Sequence, residues 1–243
     1  MNGILDFIRN RHSARGPFDR NRPIVRETLQ QIVEAASWSP TAHNMQNFEI
    51  IAVEDPALLQ AIGAIKTRTS AVFLRENFQQ LSFSEEELLG KKTGVMAKVF
   101  PEAWRAPNSD FDAVAASAEP VPLSHSLQDA PCLLLILYDT HKRAPASEGD
   151  VLGFISLGCV MENMWLTAQS LGIGVQILSV FSSEAVEQEV RRMLKFPIHL
   201  KIAFACRLGH PTATPNYLRV RRPSNEFVHC NTYGNRSLHL PRA

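Results

Sequence analysis

The stretch "CLLLILYD", residues 132–139, decides how the rest of the chain has to be arranged. It is a continuous run of apolar residues that ends in an aspartate, with no polar residue at alternate positions. A strand of this kind is suited to burial on both of its faces, whereas a half-exposed strand alternates apolar and polar residues. The sequence therefore predicts a central strand that is covered on both sides.

A long apolar segment follows that strand. The sequence "DVLGFISLGCVMENMWLTAQSLG", residues 150–172, is apolar on nearly every side of a helix, and Gly172 suits a C-cap. A helix that is hydrophobic all round is buried either in a core or in a subunit interface. The sequence leaves both locations open for this helix.

Shorter elements flank these two. Helices are predicted where apolar residues recur at helical spacing, and strands where β-branched and aromatic residues run between turn signals. The helices are "IVRETLQQIVEAASW" (24–38), "PALLQAIGAI" (56–65) and "SSEAVEQEVRRML" (182–194), and the strands are "NFEIIAVED" (47–55), "IGVQILSVF" (173–181) and "HLKIAFACRLG" (199–209). Their order predicts an α+β or α/β fold within a single domain that spans residues 1–243.

Two segments do not follow these patterns. Residues 66–126 are polar and dotted with aromatic side chains, without a clean strand. Because long structureless loops are uncommon in compact domains, we expect helical pieces that form a lid or subdomain, or else a surface insertion. The tail from residue 210 to 229 is rich in Pro and basic residues and lacks a core of its own, so it must lie along another surface.

Composition limits the class of protein. The 243 residues are 45% hydrophobic, and 25 Lys and Arg against 24 Asp and Glu give a net charge of +1, which argues against a general binder of nucleic acid or anionic membranes. The four cysteines lie far apart, and neither they nor the histidines show metal-ligand spacing, so we expect no metal site. We see no signal peptide, and "LLLILY" is too short to cross a bilayer; the sequence predicts a cytoplasmic protein.

The stretch "RHSAR", residues 11–15, places Arg11, Ser13 and Arg15 at alternate positions. In an extended segment these side chains share one face, and guanidinium and hydroxyl donors together suit an anion with several oxygens. A solvated basic patch near the chain start is the alternative interpretation.

Two further polar clusters follow. In "SPTAHNMQNF", residues 39–48, the amides of Asn44 and Gln46 offer donors and acceptors for a planar heterocycle edge or for sugar hydroxyls. An ordinary turn before a strand explains them equally well. In "YLRVRRP", Arg219 and Arg221 alternate again, either as half of a phosphate pocket with "RHSAR" or as a solvated charge run.

Other motifs are absent or fail on context. "LGIGVQ", residues 171–176, lacks the third glycine of a dinucleotide fingerprint and follows a helix, where the fingerprint needs a strand. We interpret it as a tight turn that brings backbone N–H groups close to a ligand. Ser13, Ser39 and Ser179 lack the G-x-S-x-G elbow, so no catalytic triad is indicated.

In chain order, these clusters resemble the motifs of one family. An N-terminal R-x-S-x-R, a helix ending in "SPTAHNMQNF" before a strand, a long helix ending in "SLGIGV", a strand ending in "CRLGHP" and a final R-x-R-x-P are similar to the nitroreductase family of FMN-dependent oxidoreductases. The resemblance covers residues 3 to about 66 and 127 to about 229. It implies an α+β, three-layer fold with a mixed central sheet flanked by helices, and an intertwined homodimer with two FMN sites at its interface.

The resemblance also implies roles for residues. Arg11 and Ser13 would grip the phosphate and ribityl end of FMN, and Arg15 would lie near the N1 and O2 edge of the flavin as an electrostatic stabiliser. The partner subunit would lend the segment that contains Asn44 and Gln46, and a backbone N–H at residues 177–179 would hold N5. The cofactor-binding residues expected on this basis are Arg11, His12, Ser13, Arg15, Pro40, Thr41, Asn44, Gln46, Ile177, Leu178, Ser179, Arg219 and Arg221.

The implied activity is the transfer of two electrons from NADH or NADPH to an electron-poor small molecule, a nitroaromatic or a quinone, by a ping-pong mechanism. A specialised reaction on the same fold, such as dehalogenation, ene-type reduction or flavin consumption, is a second interpretation. A flavin-binding protein without turnover is a third.

The chain departs from the family's motifs in two places. Ala42, Asn47 and Phe48 stand where the family often has Ser, Pro and Trp, which alters the expected environment of the flavin ring. Residues 66–126 match no motif, although they lie where the family places substrate-facing helices. The aromatic residues expected either to wall a planar substrate or to form a subdomain core are Phe73, Phe78, Phe83, Trp104 and Phe111.

Overall fold

The structure is a computed structural model that describes residues 3–99, 109–213 and 217–236. The chain divides into two compact units. The first unit consists of Met1–Thr67 and Val121–Pro215, and the second of Arg68–Pro120 and Asn216–Ala243. The first segment of the second unit lies within the stretch at about 66–126 where we expect an insertion, and the single domain with a lid or subdomain stays a prediction.

Helices and short strands alternate along the chain, as in an α+β fold. The helices are α1 (Gly3–Asn10), α2 (Arg26–Ser37), α3 (Pro56–Gly63), α4 (Ala71–Leu74), α5 (Glu85–Lys91), α6 (Phe111–Ser117), α7 (Ser124–Leu127), α8 (Val151–Ser170) and α9 (Glu184–Leu194). The strands are β1 (Phe48–Val53), β2 (Lys66–Thr67), β3 (Ser82–Phe83), β4 (Val95–Met96), β5 (Val121–Pro122), β6 (Cys132–Asp139), β7 (Gly174–Leu178) and β8 (Leu200–Gly209).

The central sheet has four strands in the order β1-β6-β8-β7. Each pair of neighbours is antiparallel, so the mixed sheet implied by the resemblance is wrong for the described strands. The apolar run of β6 is typical of parallel sheets because these are usually covered on both faces. Here helices cover both faces of an antiparallel sheet, so its central strand is also a continuous apolar run.

Alternate residues of β6 belong to two hydrophobic cores, which confirms the three-layer, α+β architecture. Cys132, Leu134 and Ile136 pack with α2 and α8 on one face. Leu133, Leu135 and Leu137 pack with α3, α7 and α9 on the other. All six of these β6 side chains are therefore buried. Burial of each leucine or isoleucine contributes about 1.5–3 kcal/mol to the stability of the fold.

Helix α8 is the long apolar helix predicted from the sequence. Together with the residues before it, from Glu148, it is long and apolar enough to cross a membrane by length and composition alone, unlike "LLLILY". Its buried residues, among them Leu157, Val160 and Met164, pack in the same core as α2. One face of α8 therefore forms part of a core layer, which is the first of the two locations that the sequence left open.

Two of the four cysteines lie deep in this core. Burial raises the pKa of Cys132 to about 12 and also raises the pKa of Cys206. Both thiols therefore stay protonated at neutral pH, as expected of small core residues. Cys159 and Cys230 are half-buried, and all four cysteines are free thiols.

The second unit contains the helical pieces expected for residues 66–126. Helix α5 begins with a capping box between Ser84 and Glu87, and Asp110 caps α6. Phe111 is buried and meets Phe78 edge to face, with ring centroids 5.9 Å apart. Phe111 is thus a core residue of this unit. The expectation for Trp104 lies outside the described residues.

Two glycines let the start of the chain lie directly on the sheet. Gly174 of β7 pairs with Gly209 of β8. A Cβ at Gly174 would come within 2.7 Å of the Ala14 side chain, and one at Gly209 within 2.6 Å of Phe18. The turn expected of "LGIGVQ" is present at Gly172, which has a φ of 71°. The glycine of β7, however, accommodates the chain's own Ala14 and Phe18.

A buried arginine fastens the same segment. Arg207 of β8 is 0% exposed. Its Nη2 donates to the carbonyl oxygens of Ala14 at 3.1 Å and Gly16 at 2.8 Å, and its Nη1 donates to that of Leu127 at 3.0 Å. Its Nε donates to Oε1 of Gln176 at 2.8 Å. One guanidinium therefore links three distant parts of the chain.

Burial of the Arg207 charge is energetically unfavourable. Desolvation lowers the pKa of Arg207 to about 10, so the side chain is still charged at neutral pH. Among the described residues no carboxylate forms an ion pair with it, and its hydrogen-bond acceptors are neutral carbonyl and amide oxygens. The dipoles of these groups stabilise the charge in place of an acid.

We expect Arg207→Met to lower the free energy of unfolding by about 3–5 kcal/mol, because the buried carbonyl groups lose their donor. Arg207→Lys should also be strongly destabilising, since one ammonium cannot reach oxygens on several sides. Urea unfolding followed by circular dichroism measures both. Arg192→Met is the control, because that arginine is largely exposed on α9. Equal stability of Arg207→Met and the wild-type chain would contradict this role.

Candidate functional site

The segment that contains "RHSAR" runs beside β7. The Ala14 N–H donates to the Val175 carbonyl at 2.9 Å, and Ala14 is buried. Arg11 and Ser13 are half-buried and Arg15 is exposed. The Arg15 N–H donates to the Ser13 carbonyl at 3.1 Å, a three-residue turn, so the straight extended segment that we predicted is interrupted at Ala14. The hydrogen bonds from Arg207 to this turn explain the difference.

The second half of α8 holds the beginning of this segment. Nε of Arg11 lies 3.2 Å from Oε1 of Glu162, and its guanidinium centre lies 4.3 Å from the centroid of the Trp165 ring. Nε1 of Trp165 donates to the His12 carbonyl at 3.2 Å. Arg11 is therefore positioned by an acid and an aromatic face, which sequence reasoning did not identify. A polar Glu162 in an apolar helix was the available signal.

A cavity opens beside the same residues. It has a volume of about 280 Å³, and its lining includes His12, Trp165, Gln169 and Pro211. Apolar atoms of Ile173 and its neighbours supply much of the remaining wall. Of the residues predicted to bind a cofactor, His12 alone lines it.

The segment 39–48 forms a compact, irregular loop between α2 and β1. His43, Asn44 and Gln46 have φ values of 52°, 53° and 44°, a left-handed conformation that is uncommon for residues other than glycine. The Gln46 N–H donates to Thr41 Oγ1 at 3.1 Å, and Gln46 Nε2 donates to Asn44 Oδ1 at 3.2 Å. The two predicted amides thus touch each other at the surface.

The first half of α8 fastens this loop. The Ala42 N–H donates to Ser156 Oγ at 3.1 Å, and Nδ2 of the buried Asn47 lies 3.5 Å from the Gly153 carbonyl. Ala42 and Asn47 are two of the positions at which the sequence departs from the family's motif. In this chain, these two residues attach the loop to α8.

Residues 177–179 lie at the end of β7. Leu178 is buried, Ile177 is half-buried and Ser179 is exposed. Val175, which bonds to Ala14, is on the same strand. The structure therefore brings this part of the predicted site next to the "RHSAR" segment. The 39–48 loop is attached to α8 at both halves of the helix, because Asn163 Nδ2 also donates to Ser39 Oγ at 3.0 Å.

Arg219 and Arg221 belong to the second unit and are exposed. Nη1 of Arg221 donates to the Val220 carbonyl at 2.8 Å, and the neighbouring Arg222 lies over the Phe227 ring at 5.6 Å. The expectation that this pair lies beside "RHSAR" stays a prediction.

Solved structures share this fold. A putative NADH dehydrogenase/NAD(P)H nitroreductase from Parabacteroides distasonis is 18% identical, with a TM-score of 0.61 over 96% of this chain and 100% of that one. A nitroreductase with bound FMN from Bacteroides fragilis is 19% identical, with a TM-score of 0.57 over 91% of this chain and 96% of that one. At these identities, the likeness extends to the fold.

Sequence comparison gives the family. An NADPH-dependent oxidoreductase from Staphylococcus epidermidis is 22% identical over 231 residues, which cover 95% of this chain and 74% of that protein. One from Staphylococcus haemolyticus is 22% identical over 232 residues, with the same shares. The model of the nitroreductase family matches residues 8–210, from the "RHSAR" segment to the end of β8. The chain belongs to the nitroreductase family.

Proposed function

We propose that the chain is an FMN-dependent oxidoreductase that uses NADPH or NADH to reduce an electron-poor small molecule, a nitroaromatic or a quinone, by a ping-pong mechanism. Family membership carries this proposal. The FMN in the Bacteroides fragilis structure and the NADPH dependence of the staphylococcal relatives support the choice of cofactor and donor. Bound FMN would supply the two-electron chemistry, and the protein would supply position and electrostatics.

The donors along β7 fit an anionic cofactor. Arg15 is exposed close to β7, and Ser179, which follows the last residue of that strand, is exposed as well. The buried charge of Arg207 lies directly beneath, bonded to the Ala14 and Gly16 carbonyls and opposed by no acid among the described residues. A positive potential at this surface favours a bound phosphate or a negatively charged ring.

Arg11 has a different environment from Arg15. Glu162 and the Trp165 ring hold the Arg11 guanidinium in a defined position. Such a fixed fork suits a phosphate, which carries the same charge throughout the reaction. A cation in the position proposed for Arg15 stabilises charge that develops during the reaction and therefore acts on rate and potential.

We also propose that the active form is a homodimer. Several large apolar side chains are exposed in a single chain. Those on α8 are Val151, Leu152, Phe154 and Ile155, and those on α1 are Ile4, Leu5 and Ile8. Contiguous exposed apolar residues mark an interaction surface. A second copy that covers α8 would also bring its own 39–48 loop, the segment that the resemblance assigns to the partner subunit.

The absorbance spectrum of the purified protein tests the proposed function. We expect the bands of oxidised flavin near 370 and 450 nm, about one FMN per chain after reconstitution, bleaching of the long-wavelength band by NADPH or NADH under anaerobic conditions, and its return on addition of a nitroaromatic or a quinone. A protein that binds no FMN contradicts the proposal. A protein that binds FMN and is not reduced by either nucleotide contradicts the enzymatic part of it.

Arginine variants test the two roles. We expect Arg15→Ala to lower the reduction potential of the bound FMN by roughly 20–65 mV, equivalent to about 1–3 kcal/mol, with a smaller effect on FMN affinity. Arg11→Ala should weaken FMN binding and leave the potential nearly unchanged. Arg15→Lys should restore most of the potential. Midpoint potentials and FMN dissociation constants measure both effects, with Arg20→Ala as an exposed control.

If Arg15→Ala and Arg11→Ala lose FMN affinity equally and keep the wild-type potential, both arginines act only as phosphate ligands. That result would contradict the separate roles and would leave the FMN proposal intact.

Replacement of a residue on the apolar surface of α8 tests the dimer. We expect the wild-type chain to sediment as twice its mass of 27.1 kDa at micromolar concentration. Ile155→Glu should raise the dimer dissociation constant at least about tenfold, because it places a charge in the contact. Ile198→Glu is the matched control, since Ile198 is an exposed apolar residue outside α8. A folded wild-type monomer, or equal dissociation in the two variants, would contradict the assignment.

A further inference from the structure

We propose that Asp139, His141 and His199 form a site for a divalent transition-metal cation, with Zn²⁺ as the first choice. Each residue offers one ligand atom, and these three atoms all lie within 4.8 Å of one another. The sequence predicted no metal site, because 57 residues separate the two histidines and their spacing matches no ligand motif. The antiparallel pairing of β6 with β8 brings them together.

The sheet fixes the backbone of all three residues. Asp139 is the last residue of β6 and pairs with Leu200, the first residue of β8, so His199 lies immediately before β8. Both the N–H and the Oγ1 of Thr140 donate to the His199 carbonyl, at 3.1 Å and 2.7 Å. The ligand residues therefore lie on rigid strand ends, as a preorganised metal site requires.

The three side chains lie close enough together to share a ligand after a rotation of one ring. The His141 N–H donates to Oδ1 of Asp139 at 3.0 Å, which orients the carboxylate and leaves Oδ2 outside that bond. The two imidazole rings stack with centroids 4.3 Å apart and an angle of 10° between their planes, so the His141 ring has to rotate out of the stack before both rings direct a nitrogen lone pair at one ion. Asp139 is buried, His199 is half-buried and His141 is exposed, so a cation has access from solvent.

The donor set selects the class of cation. Two imidazole nitrogens and one carboxylate oxygen suit Zn²⁺, Co²⁺, Ni²⁺ and Cu²⁺, whereas Mg²⁺ and Ca²⁺ prefer oxygen alone. In a tetrahedral Zn²⁺ site the ligand atoms are about 3.3 Å apart, so the present atoms need to approach by about 1.5 Å at most. Rotation of the exposed His141 side chain allows this movement, and water would take the fourth position.

One cation already competes for the site. Nζ of Lys142 lies 3.8 Å from Oδ2 of Asp139 and 4.0 Å from Oε1 of Glu49. A metal ion at Oδ2 would repel this ammonium, which has Glu49 as a second partner. Removal of the lysine charge should therefore strengthen metal binding, an effect whose sign is opposite to that of removing a ligand.

Titration calorimetry with ZnCl₂ on the full chain tests the site, with no polyhistidine tag and with Cys159→Ser and Cys230→Ser present to exclude thiol binding. We expect one Zn²⁺ per chain. His141→Gln and His199→Gln should each weaken binding at least about tenfold, and Lys142→Gln should tighten it several-fold. His125→Gln is the matched control for an exposed histidine outside the site, and MgCl₂ should give no binding heat.

Co²⁺ absorbance gives a second measurement. Intense d–d bands are expected for four-coordinate Co²⁺ in the wild-type chain and should disappear in His141→Gln, whose exposed position makes a folding defect unexpected. Thermal unfolding without metal checks that each variant is folded. Absence of Zn²⁺ binding, equal affinity in the histidine variants and His125→Gln, or weaker binding in Lys142→Gln would each overturn the proposal.

Discussion

The buried guanidinium of Arg207 is the interaction on which the arrangement of this molecule depends. A charge without an acid partner is stable in the interior only if oriented dipoles surround it, and here they come from the loop at Ala14 and Gly16, from the end of α7 and from β7. These segments are far apart in sequence and become neighbours only in the folded chain. The hydrogen bonds that stabilise the buried charge therefore also fix the position of the candidate site.

Helix α8 connects the hydrophobic core with both candidate segments. Its apolar residues fill one core layer, while a few polar residues hold the two candidate segments. Ser156 binds the 39–48 loop, and Glu162 binds Arg11. Because both segments are bonded to one rigid helix, their positions relative to each other are fixed. A partner that covers the exposed apolar face of α8 would therefore have a defined position relative to both segments.

The sequence predicted the parts of the fold that follow from local patterns. The strands β1, β6, β7 and β8 and the helices α2, α8 and α9 were identified because burial leaves a periodic trace in the sequence. Strand direction, the turn at Ala14 and the bonds of Arg207 were not identified. They depend on contacts between distant residues, and a single arginine in "FACRLG" has the same appearance whether it is buried or exposed. The family motifs located the candidate segments, and the polar residues that hold them became visible only in the structure.

The polar residues of the first unit therefore divide into two kinds. Arg207, Asn47 and Ser156 are buried and bonded to the backbone, so their replacement costs stability. Asn44 and Gln46 are exposed on backbone in the left-handed region, and Arg15 is exposed next to the turn at Ala14. Left-handed residues other than glycine cost of order 1 kcal/mol or more, and they persist only where surrounding contacts fix them. Ser156 and Thr41 supply such contacts to the 39–48 loop, so its exposed amides keep a defined position at the surface.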